Sequence, residues 1–383
     1  MKIIPYGRQN ITQQDIDAVI GTLTDEFLTQ GPKIHEFEEK FAAYVNANYA
    51  VAVANGTAAL HLSALSLGVN PQSKVIVTPI TFAASANCVR YCGGEVVFAD
   101  VDPATILLDV AQVRDLLRQA PRGTYQGIIP VDFAGYPVNL ELFRELADEF
   151  GLWIIEDACH APGGYFIDSA GQRQMCGNGH YADLAIFSFH PVKHIACGEG
   201  GMITTNNKDL YEKLLLLRSH GISKDPKLMH ENHGGWYYEM LELGFNYRLT
   251  DIQCALGISQ LNRAGEGLIR RQEIARRYDK AFKNTSARCI VPNNELVKHA
   301  YHLYIIRVAN RKELYDRLKQ RGIYAQIHYV PLHRMPYYQK IDQQPALPAA
   351  ESYYEECISL PMYPSLKDDD QQYVIDTVLE NIK

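Results

Sequence analysis

Residues 153–164 read WIIEDACHAPGG, and after a polar stretch residues 182–201 read ADLAIFSFHPVKHIACGEGG. The first segment is an apolar strand-like run ending in an acid pair, Glu156 and Asp157. The second places Lys193, thirty-six residues after Asp157, in a short loop between two further strand-like runs. Taken singly, an acid at a strand end is ordinary in an α/β protein, and a lysine in a Gly-bounded loop is usually solvated. The pair gains meaning from what surrounds it.

Working outward, runs resembling strands alternate with helical stretches from residue 74 to 205: KVIVTPITFAASAN, GEVVFADVD, GIIPVDFAG, LWIIEDACHA, LAIFSFH and GGMITTN. Apolar runs of this kind predict a mostly parallel sheet covered on both faces, hence an α/β fold. Ligands of such sheets bind at the carboxyl ends of the strands. Thr57, Phe82, Asp157, Ser188 and Lys193 all fall just after strand-like runs. Upstream, YAVAVANGTAALH switches from a strand period to a helix at Asn55-Gly56-Thr57. A helix N-terminus offers free N–H groups and Gly56 permits close approach, so a phosphate suits this turn; by itself, Thr57 reads equally well as a helix cap. A lysine and an aspartate at strand ends, with a phosphate-binding turn, match the needs of pyridoxal phosphate. The lysine holds it as a Schiff base, and the aspartate keeps its pyridine nitrogen protonated.

The chain of 383 residues is 47% hydrophobic and 21% charged, as in globular proteins, with length for two or three structural units. Thirty-seven basic against 44 acidic residues leave −7, which argues against a general nucleic-acid binder. Eight cysteines without CxxC pairs read as reduced thiols of a cytoplasmic protein. Neither a signal-peptide core nor a membrane span is expected. Dinucleotide, phosphate-loop, HExxH and GxSxG fingerprints are absent, and the thirteen histidines lack zinc-like spacing.

At the start, ITQQDIDAVIGTL predicts a helix capped by Thr12 with Asp15 closing a capping box, and HEFEEKFAAYVN a second with Phe37, Phe41 and Tyr44 on one face. Beyond residue 206 come the helix DLYEKLLLLRSHG and an irregular loop rich in aromatic residues and histidines. Such a loop is uncommon unless it lines a site or an interface. Residues 222–240, with Lys224, Lys227 and Trp236, suit either a nucleotide diphosphate or a subunit contact. QCALGISQLNRAGEGLIRRQEIARRYDKAF reads as one long helical region entering a smaller C-terminal α+β domain. The domains expected are 1–250 and 251–383.

NGTAALH, EDACHA, SFHPVKHIACGEGG and GFNYRLTDIQCALG, in this order, resemble the pyridoxal phosphate-dependent nucleotide-sugar aminotransferases of the DegT/StrS type, fold type I. The resemblance spans essentially the whole chain and implies a mostly parallel seven-stranded sheet with a smaller C-terminal domain. It implies Lys193 as the cofactor-bound lysine and proton carrier, with Asp157 at the pyridine nitrogen. Phe82 would stack on the ring, and His160 would lie on its other side. Gly56, Thr57, Ala58 and Ser188 would hold the phosphate, and Asn246 would reach the phosphate of a neighbouring subunit, so that a homodimer shares its sites. Relatives with histidine in place of the lysine are dehydratases, so Lys193 points to transamination. The segments YGRQNIT, LTQGPKIHEFE and SFHPVKHI resemble the branch that aminates C4 of a UDP-4-keto-6-deoxy-N-acetylhexosamine for pseudaminic acid, with L-glutamate as donor. Tyr6, Lys33, His328 and Tyr329 are then the candidate sugar contacts; His190 and His194, which flank Lys193, read more readily as local hydrogen-bonding residues. Three alternatives stay open: another UDP- or dTDP-linked ketosugar, a cofactor-binding homologue without turnover, and a relative using Cys159 or Cys197 as a nucleophile.

Overall fold

The computed structural model describes residues 3–290, 294–341 and 345–382. After a short strand β1 (Ile4–Pro5) come α1 (Gln13–Thr24) and α2 (Pro32–Val45), then β2 (Tyr49–Val53) and α3 (Gly56–Ser66). The chain continues through β3 (Lys74–Val77), α4 (Ala84–Tyr91), β4 (Glu95–Phe98), α5 (Val110–Gln119), β5 (Gly127–Ile129), α6 (Leu140–Phe150) and β6 (Trp153–Asp157). A hairpin, β7 (Tyr165–Ile167) and β8 (Arg173–Met175), precedes β9 (Leu184–Ser188), β10 (Gly201–Thr205) and α7 (Lys208–Arg218).

Seven strands form the central sheet in the order β2-β10-β9-β6-β5-β3-β4. Neighbours from β9 to β4 pair in parallel, whereas β10 runs antiparallel to both β2 and β9. The expected α/β architecture is therefore present. Val51, Val53, Val75, Ile76, Val77, Ile154 and Ile186 are fully buried, as strands covered on both faces require. Phe37 and Phe41 of α2 are likewise fully buried, and the Phe41 ring meets Phe187 and Phe189 edge-on at 4.8 and 5.4 Å. This aromatic contact holds α2 to the strand that leads to Lys193.

The expected single helix after residue 252 is two, α8 (Asp251–Asn262) and α9 (Ala264–Phe282). They part at Arg263, whose guanidinium reaches back to Asn10 O at 3.0 Å and to the Asp15 carboxylate. Asp15 also closes the expected box at the start of α1, accepting the Thr12 N–H at 2.7 Å. The α8 helix packs on α1 and α2, while α9 packs toward the helix Asp368–Leu379. Farther on, Arg288–Cys289, Tyr304–Arg307 and Cys357–Leu360 make an antiparallel sheet. Of the expected strand IYAQIHYVPLH, Ile323–Tyr324 pair in parallel with β1, and Gln326 makes an isolated antiparallel bridge to Ser359. That pairing brings the N-terminal segment beside residues 326–329.

Candidate functional site

Right-handed alternation of strands and helices brings the ends of β3, β6 and β9 and the start of α3 to one edge of the sheet. A cavity of about 610 Å³ opens there. Gly56, Thr57, Ser188 and Lys193 form part of its wall, with Asp157, Phe82 and His160. Tyr6, His328 and Tyr329 close it from the N- and C-terminal segments.

Asp157 ends β6 and is 5% exposed. Its Oδ2 accepts from Ser85 Oγ at 2.7 Å and its Oδ1 from the Cys159 N–H at 3.2 Å. The carboxylate is thus oriented before any ligand arrives. Lys193 lies in the loop between β9 and β10, its N–H donating to His190 O at 2.8 Å. Burial holds its amine below the ordinary lysine range; the nearby Cys159 and Asp157 oppose that shift and the Arg271 guanidinium adds to it. Such a lysine reaches its free-base form more readily than a solvated one.

At the start of α3, Asn55 caps the helix, its Oδ1 accepting the Ala58 N–H at 2.8 Å. A Cβ on Gly56 would stand 2.9 Å from Ser188 Cβ, so only glycine lets the turn meet the end of β9. The N–H groups of Gly56 and Thr57, together with the Ser188 hydroxyl, form an anion cradle at this terminus. Ala58 departs from the expectation. It is buried, its N–H is committed to the cap, and it does not line the cavity.

His160 Nε2 is 3.3 Å from Tyr329 OH, while its buried Nδ1 has no partner among the described residues. Burial first, then the Lys193 charge, keep this imidazole far below its usual range and therefore neutral. Phe82 is 62% exposed, an aromatic face open to the cavity rather than core packing. His328 Nδ1 lies 2.8 Å from Ser359 Oγ, and its ring is 5.3 Å from that of Tyr6. Lys33 and Asn246 do not line this cavity. Lys33 Nζ pairs with Glu36 at 2.8 Å, and Asn246 bridges to Ser219. Of the flanking histidines, His190 lines the cavity, and His194 Nε2 lies 2.8 Å from Ala300 O. Burial raises the Cys159 thiol well above its usual range, and Cys197 is raised for the same reason. Neither has the character of an activated nucleophile.

Sequence reasoning missed Asn55 and Ser85, which fix the cradle and the carboxylate, and His302, whose ring lies 4.3 Å from that of His160. The Asn55 signal was visible, an Asx residue before a helix. Pyridoxal phosphate fits the residues present: an anion cradle where glycine is obligatory, a buried oriented carboxylate, a lysine of lowered basicity and a neutral imidazole, all lining one cavity.

The family model "DegT/DnrJ/EryC1/StrS aminotransferase family" matches residues 9–379. The UDP-4-amino-4,6-dideoxy-N-acetyl-beta-L-altrosamine transaminase of Campylobacter jejuni is 37% identical over 390 residues, covering 100% of this chain and 99% of that protein. Among solved structures, Helicobacter pylori PseC, an aminotransferase involved in the biosynthesis of pseudoaminic acid, superposes with a TM-score of 0.89 at 30% identity, covering 100% and 99%. The "Putative sugar aminotransferase Spr1654 from Streptococcus pneumoniae, PLP-form" gives 0.87 at 30% identity, covering 98% of each chain.

Proposed function

We propose that this chain, which belongs to the DegT/DnrJ/EryC1/StrS aminotransferase family, moves an amino group from L-glutamate to C4 of a UDP-linked 4-keto-6-deoxy-N-acetylhexosamine. It is a pyridoxal phosphate-dependent sugar aminotransferase. The particular sugar proposed is UDP-2-acetamido-2,6-dideoxy-β-L-arabino-hexos-4-ulose, in pseudaminic acid biosynthesis. The single observation that carries the reading is the meeting of Lys193, Asp157 and the α3 cradle in one cavity. Similarity to the Campylobacter transaminase and to PseC supports the choice of sugar.

When bound, pyridoxal phosphate supplies an electron-accepting ring through which an amino group leaves one substrate and joins another. The chain does the rest. The N–H groups of Gly56 and Thr57 and the Ser188 hydroxyl would hold the phosphate, and Asp157 would set its carboxylate opposite the pyridine nitrogen. Phe82 would cover one face of the ring and neutral His160 the other. Lys193 would hold the cofactor and, as a free amine, would take the proton from the donor's α-carbon and deliver one to C4 of the sugar. Tyr6, His328 and Tyr329 border the space left for the sugar. Lys33, outside the cavity in this chain, is proposed to act only once a second copy is in place.

The proposed assembly is a homodimer in which Asn246 serves the partner's cofactor. Trp236 and Leu243, 77% and 79% exposed, and the outward Ile16, Ile20 and Leu23 of α1 support it as apolar surface in need of cover. We also propose the division into residues 1–250 and 251–383, and a cytoplasmic setting in keeping with eight free cysteines. Among the described residues no helix is long and apolar enough to cross a membrane.

The test incubates the holoenzyme with L-glutamate and the UDP-linked 4-ketosugars of both C5 configurations and reads the product by NMR. Amination of the β-L-arabino sugar at C4 is expected. Turnover only on the D-xylo sugar would move the protein to another amino-sugar pathway, and no amination of either would overturn the reading.

A further inference from the structure

Behind the cavity, on the opposite face of β6, lies a second carboxyl group that the chemistry above does not use. Successive side chains of a strand point to opposite faces, so Glu156 turns away from the cavity as Asp157 turns toward it. Glu156 is 1% exposed and meets Asp132, also 1% exposed, in the segment that follows β5. One carboxylate oxygen from each and Cys176 Sγ all lie within 4.8 Å of one another.

The hydrogen bonds around this pair leave one gap. Both Glu156 oxygens accept the Gly177 N–H, at 3.1 and 3.0 Å. Gly177 is held there at φ +82°, where a Cβ would strike the Phe187 ring, so the donor's place is fixed by the backbone. Asp132 Oδ1 accepts the Val138 N–H at 2.8 Å, but Oδ2 is buried without a partner among the described residues. Two ionised carboxylates packed in the interior without a cation between them are strongly unfavourable. A proton on Glu156 removes one charge and gives Asp132 Oδ2 its donor.

We propose that Asp132 and Glu156 share one proton and act as a positioning pair behind Asp157, whose carboxylate faces the cavity. The pair is joined to Asp157 by the backbone, the Asp132 N–H donating to Asp157 O at 3.1 Å. The titratable groups facing it are Asp157, Cys159 and Cys176; both thiols are held above their usual range, chiefly by burial. Burial, the larger cause, pushes the Asp132 carboxyl up to about 7, with the Asp157 charge adding; Glu156 is raised by burial and then by Asp132. This arrangement stands whichever nucleotide sugar is the substrate.

The consequence is a proton bound more tightly by the folded chain than by the unfolded one, whose carboxyls titrate near ~4. Stability is then fully present below that value and is lost as pH rises through the raised range in which the pair gives up its shared proton. Denaturant midpoints of the holoenzyme and of the cofactor-free protein should both fall across this window. In Glu156→Gln the amide can donate to Asp132 Oδ2 and its oxygen accept from Gly177, so the fall should be reduced or lost while the visible spectrum at neutral pH is kept. An unchanged slope in Glu156→Gln would overturn the proposal. Should that variant not fold, infrared spectroscopy of the wild type decides: a buried protonated-carboxyl stretch at neutral pH is expected, and its absence would overturn the proposal. One equivalent of tightly held zinc, with Cys176 as a ligand, would overturn it as well.

Discussion

Ser85 Oγ donates to Asp157 Oδ2 at 2.7 Å, across 72 residues of chain, and stands 2.8 Å from Thr81 Oγ1. The carboxylate expected to face the pyridine nitrogen is thus held from the first turn of a helix belonging to a different strand–helix unit. Hydrogen bonds to charged groups contribute about 1.5–3 kcal/mol. Ser85→Ala should therefore weaken pyridoxal phosphate binding roughly 10-fold or more. Titration followed by visible absorbance checks this, and an unchanged Kd would show that Asp157 needs no such support.

Gly56→Ala places a methyl group 2.9 Å from Ser188 Cβ, where the turn and the end of β9 must part to admit it. Because the clash lies at the anion cradle, the variant should fold and bind the cofactor poorly. Added inorganic phosphate should compete for the site in the wild type and hardly at all in the variant. Competition titrations measure both.

The rate of the glutamate half-reaction should rise with pH along a limb that lies below the ordinary lysine range, because burial depresses the Lys193 amine. Below that limb Lys193 is protonated and cannot accept the α-proton; above it the free base is present. A single-turnover pH series reads the limb directly. Its position at or above the value for a solvated lysine would contradict the buried setting.

Phe41 is fully buried between Phe37, Phe187 and Phe189. Phe41→Ala should cost about 3–5 kcal/mol of stability through the cavity it opens. Denaturant unfolding gives the loss. The visible spectrum of the remaining folded holoenzyme should be unaltered, since no atom of Phe41 lines the cavity.

Much of the site was legible because its strongest signals are local. Asp157 and Lys193 each sit next to the strand that places them, and Gly56 is defined by its own turn. What could not be read depends on contacts far apart in sequence. Ser85 is silent until α4 packs beneath Asp157, and His302 until its segment passes the ring of His160. The antiparallel sense of β10 follows from pairing between β2 and β9, which the apolar run GGMITT does not encode. The break between α8 and α9 rests on Arg263 turning toward Asp15, about 250 positions away, against good helix-forming neighbours on both sides. Ala58 was read from resemblance, and in this chain its N–H goes to the capping oxygen of Asn55. Lys33 and Asn246 were read from resemblance, and neither reaches the cavity of its own chain.

The most direct measurement of the central claim mixes holoenzyme with L-glutamate alone and follows 2-oxoglutarate, for the wild type and for Lys193→Ala. The wild type should release one 2-oxoglutarate per active site as its visible absorbance shifts. Lys193→Ala should lack the absorbance of the lysine-bound cofactor and be slower by about 10²–10⁴-fold, the contribution of a positioned base. Formation of 2-oxoglutarate by Lys193→Ala at the wild-type rate would contradict the account.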